Sequence, residues 1–369
     1  MSNLQLEYTE DEILTTHKVA EPLIAGGVLC HGGFDEAGNY ISPRTKFRTP
    51  AIEAWQQNHT EVFGKEILDL AVDSWPESYP NVPQAKFLLR NGVRDPMITT
   101  LTRIGTVEGF GAMIRYSIVP DMQRFFDDSI AGTATSHLGK GLFEAHGRDE
   151  AGWEQEGGHK QMWYAARDVA FENPASEMEI GEMLERMGLP VSGGLPDMEA
   201  MRRQMEAMRK FPELDFDFEM MIQRMLNILF VEVQAFRIFD WAEHVLGDSD
   251  LVAGEDYAVK LVQGIREDEK PHVEYLRTSL TEIRDRTLIA DSGKKVSGDE
   301  VVGKLWDVLL EQSLGVRLQQ NRELTLSEIK HALTGRSDAD DLLEEFHSLG
   351  SIRPNADGKF AEVAAAGSY

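Results

Sequence analysis

Apolar residues recur at helical spacing along most of this chain, and one of those stripes carries an acid. Residues 228–239 read ILFVEVQAFRIF. The helical neighbours of Glu232 at three and four residues are Ile228, Leu229, Ala235 and Phe236, all apolar. Such a stripe turns inward and takes the carboxylate with it. An unpartnered buried carboxylate is very unfavourable, so Glu232 must be compensated by something.

The same periodicity predicts four long helices. One starts at Asp95-Pro96, with proline in its first turn, and runs through MITTLTRIGTVEGFGAMIRYSIV to Pro120, with Glu108 near its middle. Residues 137–172 predict a second, ending before Asn173-Pro174; residues 218–246 a third; and residues 255–288 a fourth, which Pro271 should kink or loosen. Glycine and alanine at 105, 111 and 112 flank Glu108 on its own face and leave room for a neighbouring helix or a metal cluster. Gly157 and Gly158 are poor helix formers, explained either by crowding at a cluster or by a local bulge.

Residues 174–217 join the second helix to the third. Met198, Met201, Met205 and Met208 follow steps of three, four and three there, behind Met178, Met183 and Met187. Core packing is the plain reading of that stripe; an adaptable lid or partner surface is the sharper one. Two antiparallel helix pairs need one long crossover, and this is where it falls.

The flanks are less regular. Residues 4–20 predict a short helix, AGGVLCHGGFDEAGNYISPRT a hairpin or irregular cap, and residues 51–72 a helix that the proline-rich WPESYPNVP ends. Cys30 and His31 read as a small buried thiol and a loop imidazole. After residue 290 come a helix in VVGKLWDVLLEQSLGVRL, shorter ones in SEIKHALTG and ADDLLEEFHSLG, and a hairpin-like SIRPNADGKFAEV, an order that resembles a winged-helix module. The expected organisation is an all-α protein: an extension over 1–95 packed on a four-helix bundle over 96–289, then a small module over 290–369.

Composition narrows the function. With 63 acidic against 37 basic residues the formal net charge is −26, which argues against nucleic acid or an anionic membrane as partner. Cys30 is the single cysteine, so neither an internal disulfide nor a thiolate metal cluster is available. No leader pattern and no run long enough to span a bilayer stands out, so the expected location is the cytoplasm. GTATSHLGKG is no phosphate loop, because glycine follows the lysine where Ser or Thr is needed.

The acids then order themselves. Glu232 precedes Glu269-Lys270-Pro271-His272, and Glu108 precedes Glu156-Gly157-Gly158-His159. A Glu-x-x-His step puts both side chains on one helical face. Four carboxylates and two imidazoles arranged Glu, Glu-x-x-His, Glu, Glu-x-x-His suit two metal ions: carboxylates bridge, imidazoles terminate, and the mixed N/O set favours iron or manganese. The expected ligands are therefore Glu108, Glu156, His159, Glu232, Glu269 and His272. The halves are unequal, with 48 residues from Glu108 to Glu156 against 37 from Glu232 to Glu269. Glu144 and His146 are consequently rival ligands for the first half, and His137 can join them. Glu243 lies on the Glu232 face, placed to accept from a ligand histidine, while the adjacent His244 lies off it.

These residues resemble the ferritin-like diiron-carboxylate superfamily, over about residues 96–285. The resemblance implies a site holding two Fe ions (Mn being the alternative) that activates O2 to oxidise a small organic substrate. It implies an electron-donor protein as a further partner, with a homodimer as the candidate assembly. The large segments flanking the bundle favour an oxidase or oxygenase over metal handling by a ferroxidase, peroxidase or manganese-catalase-like protein. A metal-free structural or interaction bundle is the third reading.

Overall fold

The computed structural model describes residues 4–70, 72, 75–174, 180–182, 198–350, 352–355 and 360, and it is mostly helical. The N-terminal segment forms only one helical turn, Glu10–Ile13, closed by a capping box from Thr9, instead of a helix over 4–20. Ile13 is the only residue of that turn with a buried face, too little to hold a longer helix. A three-stranded antiparallel meander follows: β1 (Glu21–Ala25), β2 (Val28–Phe34) and β3 (Tyr40–Ile41). The Asp35 carboxylate accepts from the Ala37 and Asn39 amides and makes the β2–β3 turn.

Helix α1 (Arg48–Phe63) is shorter than expected, because Gly64 adopts a left-handed conformation at its C-cap. Helix α2 (Val82–Arg90) emerges within the proline-rich stretch, started by Asn81 and Gln84 as a capping box. Helix α3 (Asp95–Gly111) carries Glu108 and passes into a tighter turn over Ala112–Tyr116.

The expected helix over 137–172 is two helices, α4 (Phe143–Ala151) and α5 (His159–Phe171), preceded by a wide turn over Leu138–Leu142. Between them the chain leaves the helical path at Gly152, whose φ is +87°. Gly157 then pairs with β2: its amide donates to the Leu29 carbonyl at 2.8 Å, and its carbonyl accepts from the His31 amide at 3.0 Å. A Cβ on Gly158 would collide with the Gly152 nitrogen and with the Asp149 and Glu150 carbonyl oxygens. The glycine pair thus marks a complete break rather than a crowded helix.

Helix α6 (Met198–Met208) lies in the described part of the expected crossover, and Met205 and Met208 are exposed rather than core. Met178, Met183 and Met187 lie outside the described residues. Helix α7 (Phe216–Leu246) is started by the Asp215 side chain, and α8 (Glu255–Arg284) runs unbroken through Pro271. A short hairpin, β4 (Thr287–Ile289) with β5 (Lys295–Ser297), leads into α9 (Gly298–Gln312), α10 (Leu318–Ala332) and α11 (Ala339–Ser348). The hairpin expected over 351–363 falls largely outside the described residues.

Helix α8 is the hub. It packs against α7, α5, α1 and α9, while α3 packs on α5 and α4. Two apolar cores surround it. One joins Ile13 and Trp55 to Leu276 and Trp306, the other joins Leu88 and Trp163 to Phe239 and Ile329. Segments from both ends of the chain therefore share cores with the helices that carry the acids. No helix of the described residues is long and apolar enough to cross a membrane.

Candidate metal centre

Five of the six expected ligands converge, and two further residues join them. Where α3, α4, α5, α7 and α8 meet, the side chains of His146, Glu150, Glu232 and His272 form one group able to hold a metal ion, and those of Glu108, Glu150, His159 and Glu269 form a second. Glu150 belongs to both.

Helix geometry explains who takes part. Glu269 and His272 lie one turn apart on α8, with His272 Nδ1 at 2.6 Å from Glu269 Oε2. His146 and Glu150 lie one turn apart on α4, with His146 Nε2 at 3.5 Å from Glu150 Oε1 and 3.2 Å from Glu232 Oε1. His159 opens α5, its Nδ1 at 2.8 Å from Glu269 Oε1, 3.4 Å from Glu150 Oε2 and 3.8 Å from Glu108 Oε2. The small residue at 111 serves this assembly, since any Cβ there would collide with the Glu150 side chain.

The expected ligand Glu156 is not in the cluster. It sits exposed in the break between α4 and α5, where its backbone closes a turn with Trp153. Glu150, six residues earlier, takes the inward place. The rival pair divides: His146 is in the cluster, but Glu144 points away and is held by Arg115 (2.6 Å) and Arg148 (2.7 Å). His137 lies against Trp55, its Nε2 accepting from the Tyr8 amide and its Nδ1 on the Thr133 carbonyl. Glu243 pairs with Arg266 at 2.9 Å and Gln263 at 3.3 Å, so it does not reach a ligand histidine. His244 is exposed.

The acceptors behind the histidines are two aspartates, each immediately preceding a cluster glutamate. Asp149 Oδ2 takes the Nε2 of His272 at 2.9 Å, and Asp268 Oδ2 lies 3.4 Å from the Nε2 of His159. Asp149 thus braces His272 by a hydrogen bond, while Asp268 faces His159 across a longer ion-pair contact without hydrogen-bond alignment, and both histidines direct Nδ1 at the carboxylates. The N-terminal segment supports both. Arg44 Nε and Arg48 Nη2 reach Asp149 at 2.7 Å, while the Tyr40 hydroxyl donates to Asp268 at 2.8 Å and His31 Nε2 lies 3.3 Å from it. His31 is therefore not a loop imidazole but a buried part of this network.

Electrostatics divides the groups. Burial would raise Asp149, but Arg44 and Arg48 hold it well below the usual carboxylate range. Burial likewise opposes ionisation of Asp268, and the adjacent His159 and His31 imidazoles bring it to about 2. Burial is also overcome at Glu232, where His146 brings the carboxyl to about 2. Glu150 is pushed well up, chiefly by burial, with Glu108 and Glu232 adding repulsion. Glu269 is pushed well up by burial and then by Glu232 and Glu150. Burial would lower His159, but Glu269 and Glu150 hold it well above an ordinary imidazole. Burial and the neighbouring His146 lower His272 to about 3. Glu150, Glu232 and Glu269 lie so close together that they cannot all ionise without added positive charge.

The donor set fits metal ions on a stricter test. Both oxygens of Glu150, Nδ1 of His159, Nε2 of His146 and Oε1 of Glu269 are buried and lack hydrogen-bond partners. Glu269 Oε1 and His159 Nδ1 lie 2.8 Å apart, yet they are not aligned to bond one another. Two ligands on one ion at about 2.1 Å and a right angle sit roughly 3 Å apart, which is this arrangement. Two divalent ions would balance the charges of Glu108, Glu150, Glu232 and Glu269.

Sequence periodicity missed Glu150, Asp149, Asp268 and the Arg44–Arg48 pair. One signal was present: Asp-Glu occurs at 149–150 and at 268–269, once in each half. Comparison of the chain with protein-family models, with curated proteins and with solved structures finds no match, so the site rests on its own geometry.

Proposed function

We propose that the chain is a non-haem dinuclear-metal oxidase or oxygenase, with two iron ions in the buried cluster, that uses O2 to oxidise a small organic substrate. One observation carries the reading: Glu150 is a fully buried carboxylate whose two oxygens face opposite groups of ligands and bond to nothing. Such an unpartnered buried carboxylate calls for an ion beside it, and one that faces both groups could serve two ions. Two ferrous ions supply electrons to O2 when bound.

The chain's own residues do the rest. His272 presents Nδ1 while its Nε2 donates to Asp149, which fixes its tautomer and orientation, and His159 presents Nδ1 with Asp268 as the nearest charge behind its Nε2. Arg44 and Arg48 balance the charge of Asp149, so it braces His272 without adding repulsion. The helices bearing Glu108, Glu150 with His159, Glu232, and Glu269 with His272 are read as a ferritin-like four-helix bundle whose second helix is interrupted. Burial of the histidines excludes water, which favours oxidation of a bound substrate over leakage of reactive species.

Metal analysis after iron-supplemented expression tests the reading. Two irons per chain are expected, and fewer than about one per two chains, unchanged by Glu232→Ala with Glu269→Ala, would overturn it. Anaerobic ferrous protein mixed with O2 then separates the chemistries. A single two-iron oxidation fits substrate oxidation, whereas oxidation of many irons per chain with mineral growth fits storage.

A further inference from the structure

We infer that the chain holds a further cation, a zinc ion, where His31, His159 and Asp268 meet behind His159 as seen from the glutamates. This goes beyond the dinuclear reading and shares only His159 with it.

Distant parts of the chain bring the donors together. Strand β2 carries His31, the first residue of α5 is His159, and α8 supplies Asp268. One ligand atom from each lies within 4.8 Å of the others, and all three side chains are buried. His31 Nε2 is 3.3 Å and His159 Nε2 is 3.4 Å from Asp268 Oδ2. The two rings stand edge to face, with their planes 74° apart, and do not stack.

Hydrogen bonding does not account for the group. The His59–Asp285 and His272–Asp149 pairs of the same molecule close to 2.9 Å and are aligned as hydrogen bonds. Here the contacts are longer, and both ring nitrogens of His31, Nε2 of His159 and Oδ1 of Asp268 are buried without a partner. Buried polar atoms left so call for an occupant. Nitrogen and oxygen ligands held at about 2.1 Å by a tetrahedral ion sit roughly 3.4 Å from one another, which is the spacing found. Two imidazoles and one carboxylate are a donor set that zinc takes.

His159 then has an ion on either side. Its Nδ1 faces Glu269 and Glu150 at 2.8 and 3.4 Å, and its Nε2 faces Asp268. To ligate through both nitrogens the neutral ring gives up its N–H proton to water and bridges as an imidazolate. The charge of that ring, with the charge of Asp268, balances the added dication.

Zinc titration of the metal-free full-length protein, followed by desalting against a weak chelator and metal analysis, tests this. Three zinc ions per chain are expected in the wild-type protein. Two are expected in His31→Gln, which removes a ligand of this position alone, and that variant should still load two irons. Asp268→Asn keeps the shape, removes the charge and should also retain two zinc ions; it carries the test if His31→Gln does not fold. Two zinc ions in the wild-type protein, or three in a folded variant, would overturn the inference while leaving the dinuclear reading in place. A single ion that His31→Gln removes and Glu150→Ala does not would sink the dinuclear reading and support this one. A chain that takes up no zinc would sink both.

Discussion

The two halves of the candidate metal centre reach similar arrangements by different routes. In the C-terminal half, Glu269 and His272 lie one turn apart on a single helix, Glu255–Arg284, and Glu232 comes from its neighbour Phe216–Leu246. In the N-terminal half, Glu150 ends one helix and His159 starts another, with residues 152–158 between them. The first arrangement is local, set by 3.6 residues per turn. The second needs a distant strand, since Gly157 is held by backbone hydrogen bonds to Leu29 and His31. A spacing motif describes the first kind of site and fails on the second.

The largest expected effect sets Glu150 against Glu156. Glu150→Ala should abolish binding of both ions, because it removes an oxygen from each position, whereas Glu156→Ala should change metal affinity by less than about twofold. Metal content after desalting decides. Equal losses in both variants would restore the continuous-helix ligand set.

Next is the bracing of the two aspartates. Arg48→Met leaves Asp149 buried with half its cationic support, and loss of one partner of a buried pair costs about 3 kcal/mol or more. Tyr40→Phe removes one neutral hydrogen bond from Asp268 and should cost about 1 kcal/mol. Urea unfolding of the metal-free proteins measures both. Equal costs would mean that the halves are braced alike.

The break itself comes third. Gly158→Ala must displace backbone at three points and should destabilise by about 2 kcal/mol, the range of an overpacked site. Gly157→Ala meets only the Val28 and Gln161 side chains and should cost less. Thermal melts of the two variants rank them; the reverse order would mean that the turn is not held by Gly158.

Protonation gives a graded effect. Glu150 and Glu269 are raised above their unfolded values, so in metal-free protein they are least unfavourable at low pH and lose stability as pH rises through the folded pKa. Ions require the deprotonated form, so metal affinity should rise with pH and binding should release protons. The Tm gap between loaded and metal-free protein should therefore widen from pH 5.5 to 8. A constant gap would mean that the carboxylates are already ionised. The smallest effect is expected at Glu243, where Glu243→Ala breaks a partly exposed pair with Arg266 and should leave metal content unchanged.

Much of the site was legible because it obeys helix periodicity. Glu232 stood out as an acid in an apolar stripe, and Glu269 with His272 as a one-face pair. Glu108 was legible through the glycines around it, although Gly111 makes room for the Glu150 side chain rather than for Glu108. The misreading of Glu156 came from extending a helix across Gly152, Gly157 and Gly158. Local propensity weakens a helix at glycine, but it does not say where the chain goes next. His31, Tyr40, Arg44 and Arg48 were illegible as supports, because their partners lie more than a hundred residues away.

What the sequence alone determined is the helical class, the acids committed to apolar faces and the C-terminal half of the centre, all consequences of contacts within a turn or two. Tertiary structure decided the other half. It broke the second helix by pairing Gly157 with a strand from the N-terminal segment and brought Glu150 rather than Glu156 inward. It also placed an arginine pair behind one aspartate and a phenol with an imidazole behind the other. The physical reason is that a buried charge is stabilised by whatever lies nearest in space, and for these residues the nearest groups are far away along the chain.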